Sequence, residues 1–331
     1  MSLRIGFIGS GFAAKHIEAL KEIPEAHVVA ISSRNEGKAR ELIQDQAIAY
    51  YSFDHYKDML KKERLDAVYI CLPPHLHGEI ELICSEHVKG LLIEKPIALN
   101  LDLAHQLNEQ FEKANNIVSV GYMNRYRKNI IQAKEYFSNN QAILIRGGWC
   151  DLLPPPYWWR QKDMSGGQLT EQCTHILDSI RYIAGEFKEV QAYSTKGFID
   201  DTEDFNVDDA MIMNFKLENG TIGSIQTSCF SRDHGGGSMG IYMDFSSREK
   251  TYRFSEHQMD LHIQHSFENI EKLNSKENAL LLENQAFLKA LKDGNHEGIL
   301  STYSDSIESL KIGLAADLSI KESKAIELKA L

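Results

Sequence analysis

Proline is scarce in this sequence, 7 in 331 residues, which argues against long disordered linkers. Cysteine is also sparse. Cys71, Cys84, Cys150, Cys173 and Cys229 are an odd number, widely spaced and without a Cys-x-x-Cys pair. That excludes a disulfide framework and points to reduced thiols in the cytoplasm. Lys and Arg are outnumbered, 36 against 47 Asp and Glu, for a net charge of -11. No basic run offsets the deficit, so neither nucleic acid nor a membrane surface is an expected partner. No window approaches the roughly 18 uninterrupted apolar residues that a membrane span needs. Met1-Ser2-Leu3-Arg4 enters an apolar strand pattern at once, so no signal peptide is expected there. The remainder is ordinary globular composition, 43% hydrophobic and 25% charged. Its length exceeds what one core usually organises, which predicts two domains and small-molecule partners.

From Leu3 to Gly121, short β-branched runs alternate with amphipathic stretches. Arg4–Ile8, Val28–Ile31, Asp66–Cys71, Leu91–Glu94 and Ile117–Val120 read as strands; Ala13–Ile23, Glu36–Gln44, His75–Ser85 and Leu101–Ala114 read as helices. Such alternation predicts an α/β fold with a doubly wound parallel sheet. After Tyr126 longer strands follow one another: Ala142–Trp149, Val190–Lys196, Ala210–Leu217, Thr221–Thr227 and Gly240–Phe245, with Asn219-Gly220 as a hairpin turn. One helical stretch, Thr170–Ala184, interrupts them, and two more close the chain at Ala279–Lys292 and Tyr303–Ser323. This half predicts an α+β domain with an open, mainly antiparallel sheet carrying helices on one face. The domains are expected at 1–122 and 123–331, the closing helices packing either in the second or back on the first.

The strand Arg4–Ile8 runs into Gly9-Ser10-Gly11-Phe12-Ala13-Ala14 and then a helix, giving Gly-x-Gly-x-x-Ala in the strand-turn-helix context of a dinucleotide site. Gly9 permits the tight turn, Gly11 admits a pyrophosphate close to the backbone, and Ala14 lets helix and strand pack together; Phe12 and Ala13 lead the helix amides toward the anion. A carboxylate about twenty residues on would hold the adenosine ribose, but Ser32-Ser33-Arg34 stand there. Without that carboxylate, the Ser33 hydroxyl and the Arg34 guanidinium suit a 2′-phosphate, which predicts NADP as the preferred cofactor, with NAD as the alternative.

Glu94-Lys95-Pro96 follows a buried-looking strand at its carboxyl end, where open α/β sheets bind ligands. In the segment Ser165 to Asp178, Glu171 and His175 are four apart and are expected on one helix face. These motifs, together with Cys71-Leu72-Pro73-Pro74-His75-Leu76-His77 and the closing stretch from Glu283-Asn284-Gln285 to Ala315-Ala316, occur in one order. The chain thereby resembles the Gfo/Idh/MocA oxidoreductase family over essentially its whole length.

The resemblance implies a Rossmann domain and a substrate-binding sheet that also makes homodimer or homotetramer contacts. It implies hydride transfer between NADP(H) or NAD(H) and a CH–OH or C=O carbon of a sugar, cyclitol or related polyol. The catalytic lysine falls on Lys95 and the catalytic histidine on His175. Where the family usually has an aspartate four residues before that histidine, this chain has Glu171. One methylene longer, its carboxylate orients His175, contacts a substrate hydroxyl, or does something else. Cofactor contacts are expected from Gly9, Gly11, Phe12, Ala13, Ala14, Ser33, Arg34, Leu72, Pro73, Pro74, Glu94, Lys95 and Asn124. His77 either lines the cofactor cleft or caps the next helix. His175 is suited to take a hydroxyl proton and return it, and Lys95 to hold the reacting oxygen.

Substrate contacts are expected from Tyr122, Trp159, Arg160 and His234, although plain packing explains the tryptophans of Trp158-Trp159-Arg160 equally well, and a glycine-rich connection explains Arg232 to Gly237. Arg125 is either a site residue or structural. Metal catalysis is not expected, because His75-x-His77 and His262-x-x-His265 lack a third ligand at a recognised spacing. A non-catalytic nucleotide-binding sensor and a redox glycosidase working on a held cofactor remain as alternatives.

Overall fold

Ala67–Ile70, Gly90–Ile93 and Ile117–Val120 are buried at every position, the pattern of strands covered by helices on both faces. A computed structural model, describing residues 2–43, 48–231 and 240–331, assembles such runs into the first of two units. That unit holds Met1–Met123 with Asn278–Ile307; the second holds Asn124–Glu277 with Glu308–Leu331. Among the described residues the first unit contains β1 (Leu3–Ile8), α1 (Ala13–Leu20), β2 (Ala26–Ser33), α2 (Glu36–Leu42), β3 (Ala49–Ser52), α3 (Tyr56–Lys62), β4 (Ala67–Ile70), α4 (Glu79–His87), β5 (Gly90–Ile93), α5 (Leu101–Ala114) and β6 (Ile117–Val120). The sheet order is β3-β2-β1-β4-β5-β6, all parallel. Neighbours diverge on either side of β1, so the crevice at its carboxyl end is the topological switch point where such sheets bind ligands.

The local causes of these elements are visible. Asn35 and Asn100 cap α2 and α5 by accepting from the amides of Lys38 and Leu103. Asn115 ends α5 in the left-handed conformation at φ 54°. β3 escapes sequence reading: Ala49-Tyr50-Tyr51-Ser52 is a short, partly exposed edge strand with no alternation. The helix expected over His75–Ser85 instead begins at Glu79, after a 3₁₀ turn at Pro74–Leu76.

The second unit continues with α6 (Lys128–Asn139), β7 (Leu144–Leu152), α7 (Lys162–Ser165), α8 (Gln168–Glu171), α9 (Thr174–Ala184), β8 (Phe187–Thr195), β9 (Ala210–Leu217), β10 (Ile222–Ser231), β11 (Gly240–Ser246), β12 (Thr251–Ser255), β13 (Asp260–Gln264) and β14 (Ile270–Leu273). Next comes α10 (Ala279–Asp293), which belongs to the first unit, then α11 (Tyr303–Glu322), which begins in the first unit and continues into the second, and β15 (Ile326–Glu327). The nine strands run β14-β13-β12-β11-β7-β10-β9-β8-β15. All pairs are antiparallel except β7 with β10. Asn219-Gly220 makes the expected hairpin between β9 and β10, with Gly220 at φ 89°.

Along β9 the side chains alternate inward and outward. Met211, Met213 and Phe215 join Ile145, Ile225, Met243 and Phe254 in a core shared with Ile176, Leu177 and Ile180 of α9 and with Ile312 and Ala315 of α11. The opposite face leaves Tyr193, Ile212 and Ile222 at least half exposed. No helix among the described residues is long and apolar enough to cross a membrane.

Candidate active site

The glycine loop fits a pyrophosphate. Gly9 sits at φ +98°, and a Cβ there would lie 2.2 Å from the Cys71 carbonyl oxygen, so only glycine permits this approach to the end of β4. At Gly11 an added Cβ would meet nothing within 4 Å, which leaves the loop open above its backbone. α1 has no side-chain cap and no acidic residue in its first turn, which leaves its N-terminus open to an anion. The close helix-sheet packing assigned to Ala14 falls on Ala13, which is fully buried while Ala14 is half-buried; Phe12 is exposed at the loop.

At the end of β2, Arg34 is exposed and its guanidinium lies 5.7 Å from the Phe53 ring centroid. Ser33 is buried, its hydroxyl 2.8 Å from that of Ser10 and accepting from the Asn35 amide at 3.1 Å. The Ser33 hydroxyl thus already ties the glycine loop to the end of β2. Leu72 and Pro74 are buried and Pro73 half-buried beyond β4. His77 has no exposed side-chain surface; its Nδ1 stands 2.6 Å from Glu81 Oε1, while Glu81 Oε2 accepts from the Gly78 amide at 2.6 Å. His77 thus braces the Glu81 carboxylate that caps α4 and does not itself cap the helix.

Lys95 is half-buried and leaves the carboxyl end of β5 through a cis Lys95-Pro96 peptide. Glu94 beside it turns inward, and one carboxylate oxygen accepts from the Lys95 amide at 3.2 Å. Burial, together with the Glu94 and Glu283 carboxylates, pushes the Cys71 thiol well above its usual range. Tyr122 is 1% exposed.

In the second unit the expected single helix carrying Glu171 and His175 does not form. α8 ends at Glu171, a turn occupies Gln172 and Cys173, and α9 starts at Thr174. The reason is Gln168. Fully buried, it accepts from the Thr227 hydroxyl at 2.9 Å and donates to the backbone carbonyls of Asp208 and Asp209. Its own carbonyl takes both the Gln172 and Cys173 amides, at 3.1 and 2.8 Å, so the helical ladder loses register there. Glu171 therefore ends one helix and accepts the Trp159 indole N–H at 2.7 Å, while His175 stands on the next, half-buried. Trp159 is 1% exposed and packs with Val207 and Cys229, so its ring is enclosed instead of offering a face to a sugar.

Sequence reading missed Trp149 on β7. Its ring stacks on His175, centroids 6.2 Å apart at 24°, and meets the edge of His257 on its own. A lone tryptophan in a strand carries no signal of this. The Trp149 and Arg160 side chains each hold an enclosed N–H, Nε1 and Nε, that has no hydrogen-bond partner among the described residues. Asn124 is buried and its amide oxygen accepts from Arg127 at 3.0 Å. Arg125 closes a fork on buried Asp178 at 2.6 and 2.8 Å, a structural role. His234 lies outside the described residues. Among those described, no group of three or more His, Cys, Asp or Glu is arranged to hold a metal.

Comparison with known proteins matches both halves. Residues 3–122 match the model of an oxidoreductase family with an NAD-binding Rossmann fold, and residues 141–245 match the C-terminal domain of the same Gfo/Idh/MocA family. The chain is similar to a myo-inositol 2-dehydrogenase of Thermotoga maritima, 27% identical over 341 residues and covering 99% of each. It is also similar to a scyllo-inositol 2-dehydrogenase (NAD(+)) of Bacillus subtilis, 25% identical over 68% of this chain and 66% of that one. In fold it follows a levoglucosan dehydrogenase solved with NADH, at a TM-score of 0.86, 20% identity and 99% coverage of both chains. With both of the family's domain models matched in order, the chain belongs to the Gfo/Idh/MocA oxidoreductase family and is an oxidoreductase with an NAD-binding Rossmann domain.

Proposed function

We propose that this oxidoreductase interconverts a CH–OH group and a carbonyl on a cyclitol, sugar or related polyol, with Lys95 and His175 as its catalytic residues. The observation that carries the reading is Lys95 leaving the carboxyl end of β5 in a doubly wound sheet, where ligands of such sheets bind. The myo-inositol and scyllo-inositol relatives favour a cyclitol.

Bound nicotinamide supplies the hydride acceptor or donor, and that chemistry is its own. Gly9, Gly11 and the first amides of α1 hold the pyrophosphate. His175 takes the hydroxyl proton in oxidation and returns it in reduction, its ring plane set by Trp149. Lys95 donates a hydrogen bond to the reacting oxygen and stabilises alkoxide character there. Glu171 supports the segment leading to His175 through its bond to Trp159.

NADP is the proposed preferred cofactor, since no carboxylate stands in Ser32-Ser33-Arg34 and Arg34 alone of the pair has its polar group exposed. The outward face of the second sheet, with Tyr193, Ile212 and Ile222, is the proposed contact of a homodimer or homotetramer; a monomer in light scattering refutes that.

The test is fluorescence titration with NADPH and NADH, followed by absorbance of the reduced nicotinamide with myo-inositol, scyllo-inositol, levoglucosan and their keto forms. Turnover with a cyclitol supports the reading, and binding without turnover on any of them overturns it. Equal affinity for the two cofactors, or no loss of NADPH affinity in Arg34→Ala, removes the NADP preference.

A further inference from the structure

His16 stands in the first turn of α1 and is fully buried. An imidazole enclosed to that degree destabilises a protein unless its nitrogens are satisfied. Its Nε2 stands 2.9 Å from Glu94 Oε1, and its Nδ1 stands 3.0 Å from the Asn284 amide oxygen on α10. The second carboxylate oxygen of Glu94 accepts from the backbone N–H of Lys95 at 3.2 Å. Gly121 closes the other side of that carboxylate: a Cβ there would lie 2.8 Å from each of its oxygens. Tyr69 and Phe12 meet the His16 ring edge to face, at centroid distances of 5.2 and 5.7 Å, and hold its plane.

An aliphatic residue at each of these positions would fill the same space without burying polar groups, often at no loss of stability. The polar series instead leads through adjoining hydrogen bonds from α10 to α1 to the amide of residue 95, and residues 16, 94 and 284 meet only in the folded unit. We propose that His16 is a positioning residue for Lys95. By donating its Nε2–H to Glu94 it fixes the carboxylate that holds the Lys95 amide, and so the point from which the lysine side chain departs; the Asn284 side-chain amide, turned so that its N–H donates to Nδ1, braces the far edge of the ring. The proposal rests on the reading of Lys95 as the catalytic lysine, and it deepens that reading.

The test compares His16→Met, which keeps the volume but offers Glu94 no donor, with His16→Gln, whose amide N–H can replace Nε2–H. Three quantities are measured on the full chain: NADH affinity by fluorescence, kcat and KM on the cyclitol or sugar that turns over, and acetylation of Lys95 by acetic anhydride relative to exposed Lys38, read by peptide mass spectrometry without cofactor. His16→Met is expected to lower kcat by about 10- to 100-fold and to change the Lys95:Lys38 ratio by about threefold or more, the size of effect that misplacing a reacting group produces. NADH affinity is expected to stay within about threefold. His16→Gln is expected to restore most of both losses.

Equal loss in Met and Gln variants means that ring volume matters and not the donated hydrogen bond, which overturns the proposal; so do wild-type values in both. If His16→Met fails to fold, Gly121→Ala decides, because its methyl group must displace Glu94 and should reproduce the same losses. A wild-type acetylation ratio and kcat in Gly121→Ala overturns the proposal. Should Lys95→Met keep full turnover, the catalytic assignment of Lys95 fails, while the acetylation ratio still tests whether His16 positions that residue.

Discussion

His175 stands half-buried with one face against the Trp149 ring, an arrangement that restricts how the imidazole can turn. As the proposed proton carrier it acts on the substrate and makes no demand on the pyrophosphate. His175→Ala is therefore expected to slow turnover by roughly 10²–10⁴-fold with cofactor affinity nearly intact. Steady-state kinetics beside a fluorescence titration checks both, and unchanged turnover removes the assignment. Lys95 and His175 stand out as candidates because each sits in a run of flanking signals: a buried strand ending in Glu-Lys-Pro, and a pair of glycines ahead of an apolar helix. Trp149 and His16 were not, since nothing local distinguishes a tryptophan or histidine that packs from one that orients a neighbour.

α9 shows what an element contributes as a unit. Its Asp178 and Arg181 are buried on a helix whose apolar side packs isoleucine and leucine. Asp178 accepts from Arg125 through both carboxylate oxygens and from Ser309 at 2.7 Å. Arg181 reaches Ser309 at 2.9 Å and Glu186 at 2.6 and 2.9 Å. The network ties α9 to the turn before α6 and to α11. Asp178→Ala leaves the Arg125 guanidinium in the interior without its counter-charge, and a loss of about 3–5 kcal/mol is expected. Guanidinium denaturation measures it, and a change below about 1 kcal/mol would mean that water or a rearranged partner replaces the carboxylate. The break between α8 and α9 belongs at this scale too. Periodicity from Thr170 to Ala184 is continuous, and what interrupts the helix is Gln168 bonded to Thr227, a strand residue 59 positions away.

Across the whole molecule all five cysteines are buried and none is in a disulfide. Burial, with acidic neighbours in each case, raises the Cys71 and Cys84 thiols well above their usual range and pushes Cys229 up to about 12. A thiol so raised stays protonated near neutrality and reacts slowly. The native protein is expected to release no thiol rapidly to Ellman's reagent at pH 8, and five equivalents once unfolded. Raising the pH to about 9, where an unperturbed thiol ionises, should leave Cys71, Cys84 and Cys229 unreactive as long as the fold holds. Two or more fast equivalents in the native state would contradict the burial.

The sequence by itself determined the strand-helix alternation, the glycine turn, the lysine at its strand end and the change to a second sheet, because each is written in residues adjacent along the chain. Periodicity, turn chemistry and β-branching act over a few positions. The tertiary structure decided the rest. It made β3 an edge strand, paired β7 in parallel with β10, drew Asn278–Ile307 into the first unit, and closed Trp159 away from solvent. It also joined His16, Glu94 and Asn284, residues up to 268 positions apart. Such contacts form between side chains whose neighbourhood exists only once the chain is folded, and no local pattern specifies them.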